Sequence, residues 1–156
     1  MAGILIIAHA PLATALKAAA AHAFPEAAAR IEALDVAPQW SPDEAEALAR
    51  EMLERARAGA ERREVLILSD VFGATPSNVA QRLANGVDVK LVTGANVPMV
   101  WRAINYAAEP LEQLVTRALA GATQGVMQIA SARPLNQTQP VGPRPGHDHD
   151  AHQHQQ

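Results

Sequence analysis

Short apolar runs alternate with longer helix-like segments along most of this 156-residue chain, and this alternation constrains its fold more than any other feature. The apolar runs predict strands at residues 4–8, 31–36, 64–69, 87–93 and, from a weaker pattern, 126–130. The intervening segments predict helices at residues 11–23, 42–58, 76–84, 98–107 and 111–122. Such alternation favours a doubly wound α/β fold, with a mostly parallel sheet and helices on both faces.

Proline stands at the start of four predicted helices, where its fixed φ angle and missing N–H suit the first helical position. These prolines are Pro11, Pro42, Pro76 and Pro98. Ser41 and Glu44 also have the spacing of a capping box around the start of the second helix. These signals predict helix boundaries and carry no information about function.

The composition divides the chain into a folded domain at residues 1–132 and a tail at residues 133–156. About half of the whole chain is apolar, 49%, which is enough for one compact core. The tail is instead rich in Pro, Gln and His, so we expect it to be disordered. Its histidines could ligate a metal ion, but ordering a flexible segment costs entropy. We interpret the tail as a solvated appendage and predict no metal site.

Charge and composition exclude several classes of protein. A net charge of −3 and an isoelectric point near 6.0 argue against nucleic-acid binding, which normally needs a basic face. The chain has no cysteine and therefore no disulfide, thiol nucleophile or cysteine metal site. The first apolar run is too short to span a bilayer and lacks the layout of a signal peptide, so we expect a cytoplasmic protein. No glycine-rich nucleotide-binding motif follows that run.

Two residues capable of acid–base chemistry follow predicted strands. His9 ends the first apolar run, and Asp70 follows the third. Both are expected at the carboxyl edge of the sheet, where ligands of open α/β folds bind. If Asp70 accepts a hydrogen bond from one ring nitrogen of His9, the other nitrogen becomes an exposed nucleophile. A packing histidine is the alternative that this pattern alone leaves open.

The segments that follow Asp70 and the fourth strand contain groups suited to binding an anion. Backbone N–H groups near Gly73 and Ala74 could form an anion-binding concavity, to which the Thr75 hydroxyl could add a donor. Thr75 is alternatively a helix cap. Asn96 likewise occupies a predicted cap position at the same edge of the sheet. The pattern alone favours capping for both side chains.

Three motifs of this chain resemble the enzyme IIA domain of the mannose-type sugar phosphotransferase system. They are residues 6–13 (IIAHAPLA), 68–78 (LSDVFGATPSN) and 92–99 (VTGANVPM). The resemblance extends from about residue 2 to residue 130. It implies a doubly wound domain that carries phosphate on His9, with Asp70 orienting the ring and Gly73, Ala74 and Thr75 near the phosphate. It also implies that Phe72, Asn96, Pro98 and Met99 line the site.

The resemblance implies partners as well. Members of the family receive phosphate from the phosphocarrier protein HPr and pass it to a histidine of enzyme IIB, without a cofactor. They are usually dimers that exchange their last strand, for which residues 125–130 are suitable, and they associate peripherally with a membrane permease. Three alternatives remain: a regulator whose phosphorylation state on His9 is read by a target protein, the phosphoryl-donor subunit of a dihydroxyacetone kinase, and a non-catalytic binding module of the same fold. Ala10 and Ala74 stand where the family often has glycine, so partner recognition and the identity of the sugar are open.

Overall fold

Four parallel strands form the sheet of this protein, whose computed structural model describes residues 1–130. In chain order, the strands are β1 (Gly3–His9), β2 (Glu32–Val36), β3 (Val65–Ser69) and β4 (Val89–Val92). Their order in the sheet is β2-β1-β3-β4, so the chain adds strands first on one side of β1 and then on the other. The predicted doubly wound α/β fold is confirmed, with every strand pair parallel.

Five of the helices in the described part of the chain begin and end within two residues of their predicted boundaries. The helices are α1 (Leu12–Ala23), α2 (Pro25–Ala28), α3 (Pro42–Ala58), α4 (Thr75–Leu83), α5 (Val97–Asn105) and α6 (Leu111–Gln124). The short helix α2 was not predicted. The capping box of α3 is formed, because Ser41 N–H donates to Glu44 Oε2 at 2.7 Å and Glu44 N–H donates to Ser41 Oγ at 3.2 Å. No helix within residues 1–130 is both long and apolar enough to cross a membrane.

Both faces of the sheet are buried, which explains why the strands are continuous apolar runs. Ile4, Ile6 and Ala8 of β1 point towards one face, where α1, α5 and α6 pack. Leu5 and Ile7 point towards the other face, which α3 and α4 cover. The central strands β1 and β3 are therefore fixed on both sides, and their carboxyl ends are held rigidly.

One predicted strand starts two residues later in the structure, and another is not formed. Strand β4 begins at Val89 rather than at residue 87, because the side-chain oxygen of Asn85 accepts hydrogen bonds from the N–H groups of residues 87–89. The strand predicted at residues 126–130 is not formed in the single chain. A strand needs a hydrogen-bonding neighbour, and this segment pairs with none of the strands β1 to β4.

The sheet order places the carboxyl ends of β1 and β3 at the switch point of the fold. The connections that leave these two neighbouring strands run to opposite faces of the sheet, because α1 packs on one face and α4 on the other. In open α/β sheets this divergence creates a crevice in which ligands bind. His9 ends β1 and Asp70 directly follows β3, so both residues lie at this crevice.

Candidate functional site

His9 and Asp70 form the centre of the candidate site. One oxygen of Asp70, Oδ2, accepts hydrogen bonds from the His9 backbone N–H at 2.9 Å and from His9 Nδ1 at 2.6 Å. The other oxygen, Oδ1, accepts from the Val71 backbone N–H at 2.8 Å. The carboxylate is thus held by both strand ends, and it orients the imidazole through one ring nitrogen. The structure brings the two residues together as the sequence predicts.

The electrostatic environment keeps Asp70 ionised. Burial opposes ionisation and is the strongest single influence on the pKa of Asp70, but the hydrogen bonds from His9 and Val71 together outweigh it. They hold the pKa of Asp70 below its usual value. An ionised carboxylate can only accept, so Nδ1 of His9 carries a proton and Nε2 carries the free lone pair. The His9 side chain is 54% exposed whereas that of Asp70 is 12% exposed, so the imidazole is accessible and its partner is not.

The β3–α4 loop, residues 70–74, differs in detail from the sequence prediction. Thr75 is the first residue of α4, and Ala74 occupies the cap position, so the expected capping role of Thr75 is wrong. The Thr75 side chain is exposed, and its hydroxyl has no hydrogen-bond partner among residues 1–130. The Gly73 N–H, expected to face an anion, instead donates to Ser77 Oγ at 3.0 Å. The loop therefore offers a different set of donors from the one predicted.

Most of the free donors that remain lie at the start of α4. The backbone N–H groups of Ala74, Thr75 and Ser77 have no acceptor within residues 1–130. Helix α4 has no acidic residue in its first turn and no side-chain cap. Its N-terminus is consequently a group of free N–H donors at the positive end of a helix dipole, which favours an anion.

Sequence analysis missed two polar residues that shape the site. The first is Ser77, which is fully buried and bonds to the β3–α4 loop. The second is Asp35 of β2, whose carboxylate accepts from Thr14 N–H at 3.1 Å and from Thr14 Oγ1 at 2.5 Å. A carboxylate next to the end of a buried strand was a usable signal for Asp35, because such strand ends meet at the ligand-binding edge. Ser77 had no comparable signal, since a serine inside a helix is ordinary.

The residues predicted to line the site from the third motif are used mainly within the fold. Asn96 caps α5 by accepting from Met99 N–H at 2.9 Å, and its side-chain nitrogen donates to the carbonyl of Ala122 in α6 at 3.3 Å. Met99 does not line the site, because its side chain belongs to the core and is 1% exposed. Pro98 packs against Gly125, where an added Cβ would lie 2.4 Å from the proline ring. These contacts fix the neighbouring segment to α6, and the site-lining role of Asn96 and Pro98 stays a prediction.

The loop that precedes Asn96 is nevertheless attached to the site. The Gly94 N–H donates to the Asp70 carbonyl at 2.8 Å, and the Ala95 N–H donates to the Ser69 carbonyl at 3.0 Å. The backbone at Asp70 is therefore held in place by hydrogen bonds from the segment that follows β4.

An apolar rim lies beside His9. Val71 and Phe72 follow Asp70 directly, and both are exposed, Phe72 by 74%. Leu12, at the start of α1, is also exposed. Large apolar side chains at the surface next to a reactive group are typical of a protein-docking surface. Within residues 1–130, no three His, Asp or Glu side chains lie close enough to hold a metal ion, and the tail histidines lie outside the described residues.

Comparison with known proteins identifies the class of this domain. The family model described as the PTS system fructose IIA component matches residues 3–119. None of the curated proteins compared with the chain matches it.

Solved structures share the fold. The mannose/sorbose specific IIA subunit of the phosphotransferase system from Enterococcus faecalis superposes with a TM-score of 0.75 at 19% identity, covering 85% of this chain and 98% of that one. The phosphotransferase system component EIIA from Streptococcus agalactiae gives a TM-score of 0.70 at 19% identity, covering 82% and 97%. The PTS IIA protein associated with the fucose utilization operon of Streptococcus pneumoniae gives 0.65 at 25% identity, covering 82% and 96%.

Proposed function

This chain belongs to the family of PTS system fructose IIA components and has a phosphotransfer role in the sugar phosphotransferase system, and we propose that His9 is the residue that carries the phosphoryl group. The observation that carries the proposal is the His9–Asp70 pair at the switch point of the sheet, with Nδ1 held at 2.6 Å from a buried carboxylate. The same contact leaves Nε2 as the nucleophile.

The proposed reaction is an in-line transfer between two histidines. Nε2 of His9 attacks the phosphorus atom of a phosphohistidine on HPr, the P–N bond of the donor breaks, and its electron pair returns to the donor ring. The His9 ring becomes positively charged during the transfer, and the Asp70 carboxylate stabilises that charge through the proton that Nδ1 keeps. In the second half of the cycle, a histidine of enzyme IIB attacks the same phosphorus atom and His9 is released unchanged.

The N-terminus of α4 is proposed to stabilise the phosphoryl oxygens. The N–H groups of Ala74, Thr75 and Ser77 have no acceptor within residues 1–130, and the exposed Thr75 hydroxyl can add a further donor. Donors that are fixed before the reaction stabilise developing charge without a reorganisation cost. Positioning and charge stabilisation supply most of the catalysis of phosphoryl transfer, so neither a metal nor a cofactor has a role in this proposal.

We propose that phosphorylated HPr and enzyme IIB dock in turn on the apolar rim formed by Leu12, Val71 and Phe72. Each partner must bring a histidine to His9, and the exposed rim next to that ring offers the apolar surface that such contacts bury. The exchange would take place in the cytoplasm. Enzyme IIB and this chain would associate peripherally with a membrane permease. A regulated target protein that reads the phosphorylation state of His9 is the alternative partner.

We also propose a homodimer that is built on residues 125–130. Val126, Met127 and Ile129 are exposed by 76%, 65% and 77%, and the segment pairs with no strand of its own chain. Strand β4 is an edge strand that could accept a further strand from a second subunit. Light scattering should report a dimer for the wild type and a monomer for the double variant Met127→Asp, Ile129→Asp. A monomeric wild type would contradict this arrangement.

The phosphorylation proposal is tested by incubating the full chain with enzyme I, HPr and phosphoenolpyruvate. We expect one phosphoryl group per chain, labile in acid and stable in base, and no phosphorylation of His9→Ala. The matched control is His22→Ala, which removes a histidine of the last turn of α1 and should leave phosphorylation unchanged. Phosphate on His22 or on the tail would contradict the proposal. Adding enzyme IIB then separates the two acceptor classes, because rapid loss of phosphate favours transport and persistence favours regulation.

A further inference from the structure

Two serines are the fully buried polar side chains of residues 1–130, and they differ in their hydrogen bonding. Ser69, the last residue of β3, has a hydroxyl without a partner within the described part of the chain. Ser77, in the first turn of α4, makes two hydrogen bonds. We infer that Ser77 is a positioning residue that shapes the phosphoryl-binding end of α4. This inference rests on the proposed function.

The Ser77 hydroxyl connects the helix to the loop before it. Its Oγ accepts from Gly73 N–H at 3.0 Å and donates to the Ala74 carbonyl at 3.0 Å. The same loop is held from Asn78, whose backbone N–H donates to the Ala74 carbonyl at 3.0 Å and whose side-chain nitrogen donates to the Gly73 carbonyl at 3.4 Å. The peptide groups at residues 73 and 74 are therefore fixed to the first turn of α4.

The conformation of Gly73 makes this attachment important. Gly73 has a φ angle of +86°, a left-handed conformation that lets the chain turn from β3 into α4. Glycine is the most flexible residue, and its loop lies at the surface, so the turn needs an external constraint to keep one geometry. Ser77 supplies this constraint from a fully buried position.

The attachment also decides which donors can reach a phosphoryl group. Ser77 Oγ takes the Gly73 N–H, so the donors left at the start of α4 are the N–H groups of Ala74, Thr75 and Ser77 and the Thr75 hydroxyl, besides the Phe72 N–H in the loop. Because the transferred group must be in line with Nε2 of His9, small displacements of these donors slow transfer. In this proposal, the Ser77 hydroxyl contacts neither the phosphoryl group nor His9. It acts by fixing the geometry of the loop.

The test compares Ser77→Ala with Ser69→Ala in the full-length protein, using phosphorylated HPr as the donor. For Ser77→Ala we expect the maximum rate of phosphorylation to fall about tenfold, the size of one lost hydrogen bond, with little change in KM for HPr. KM should hold because the apolar rim is untouched. Ser69→Ala removes an equally buried hydroxyl that has no partner, so its rate should equal that of the wild type.

Further variants separate positioning from loss of folding. Ser77→Thr keeps the hydroxyl and should restore most of the rate. Ser77→Cys keeps a side chain of similar size but forms only weak hydrogen bonds, so it should also be slow. This result does not depend on whether alanine destabilises the helix. Circular dichroism and melting temperature give the folded fraction to which each rate is normalised. A purely structural role would lower the melting temperature and leave the maximum rate of the folded protein unchanged.

Three results would overturn the inference: a normalised Ser77→Ala rate equal to that of Ser69→Ala, a loss confined to KM, or a Ser77→Thr protein as slow as the alanine variant. In each of these cases the wild type is phosphorylated on His9, so the proposed function stands. A wild type that accepts no phosphate on His9 would overturn the proposed function, and the positioning role would fall with it.

Discussion

Two helices begin at the carboxyl edge of the sheet close to His9, and their N-termini differ in whether a carboxylate of the protein accepts a hydrogen bond from them. At α1, a carboxylate of the protein is already present, because Asp35 accepts from the backbone N–H and the hydroxyl of Thr14. At α4, the N–H groups of Ala74, Thr75 and Ser77 have no acceptor within residues 1–130. Both ends have the positive dipole that attracts anions, but only the α4 end leaves it uncompensated by a carboxylate of the described chain.

In the proposed mechanism, this difference restricts anion binding to one of the two helix ends. Helix geometry makes each N-terminus attractive to phosphate, so geometry alone does not choose between them. The negative charge of Asp35 favours the α4 end, since it would repel a phosphoryl group near Thr14. In the proposed reaction, the phosphoryl group on His9 is therefore directed towards α4, where Thr75 also lies.

The largest expected effect follows from removing the group that orients His9 while leaving both helix ends intact. Asp70→Asn keeps the size of the side chain but loses the charge that fixes the Nδ1 proton and stabilises the ring cation. We expect transfer from HPr to slow by roughly a hundredfold to a thousandfold, about 2.7–4 kcal/mol of barrier, the range for one preorganised electrostatic group. Timed phosphorylation measures the rate, and circular dichroism shows that the fold is kept. A folded variant with the wild-type rate would remove Asp70 from the mechanism.

Two exposed threonines allow the helix ends to be compared directly. Thr75→Val removes the free hydroxyl at α4, and we expect transfer to slow roughly tenfold to a hundredfold, about 1.5–3 kcal/mol for a bond to a charged group, with little loss of stability. Thr14→Val removes the hydroxyl that bonds Asp35 at α1. It should lower the free energy of unfolding by about 1 kcal/mol and leave the rate unchanged. A Thr14→Val protein that transfers phosphate as slowly as Thr75→Val would contradict the proposed difference between the two helix ends.

How much of this site could be predicted depended on the range of the interactions involved. The positions of His9 and Asp70 follow from strand ends, which apolar periodicity locates well. The expected capping role of Thr75 was wrong because it depends on one residue of helix phase, and the Gly73 N–H is not free because of a contact four residues away, at Ser77. Met99 lies in the core, which a local pattern does not reveal. Asp35 and the unformed strand at residues 126–130 depend on tertiary pairing, which the local pattern does not contain.

The pH dependence of stability tests the charge at the centre of the site. The hydrogen bonds of Asp70 outweigh its burial and hold its pKa below the usual 3.8 in the folded protein. Ionised Asp70 therefore stabilises the fold above that usual pKa, and the contribution is lost as the pH falls through the folded-state value. The difference in unfolding free energy between the wild type and Asp70→Asn should shrink below about pH 4. Urea titrations across this range would contradict the account if the difference grew on acidification.

The smallest expected effect is that of removing the tail. We propose that residues 133–156 lie outside the folded domain, because they lack apolar periodicity and the family match ends at residue 119. A chain truncated after residue 133 should keep its melting temperature and its rate of phosphorylation. A large loss of either would show that the tail supports the domain.

The most direct test of the account is NMR of the full chain before and after phosphorylation by HPr. Nitrogen and phosphorus spectra should place the phosphoryl group on Nε2 of His9, with Nδ1 still protonated. The amide signals of Ala74, Thr75 and Ser77 should shift strongly, while that of Thr14, which already donates to Asp35, should move little. Phosphate on Nδ1, or a large shift at Thr14 with none at residues 74–77, would contradict the claim that the phosphoryl group is held at α4.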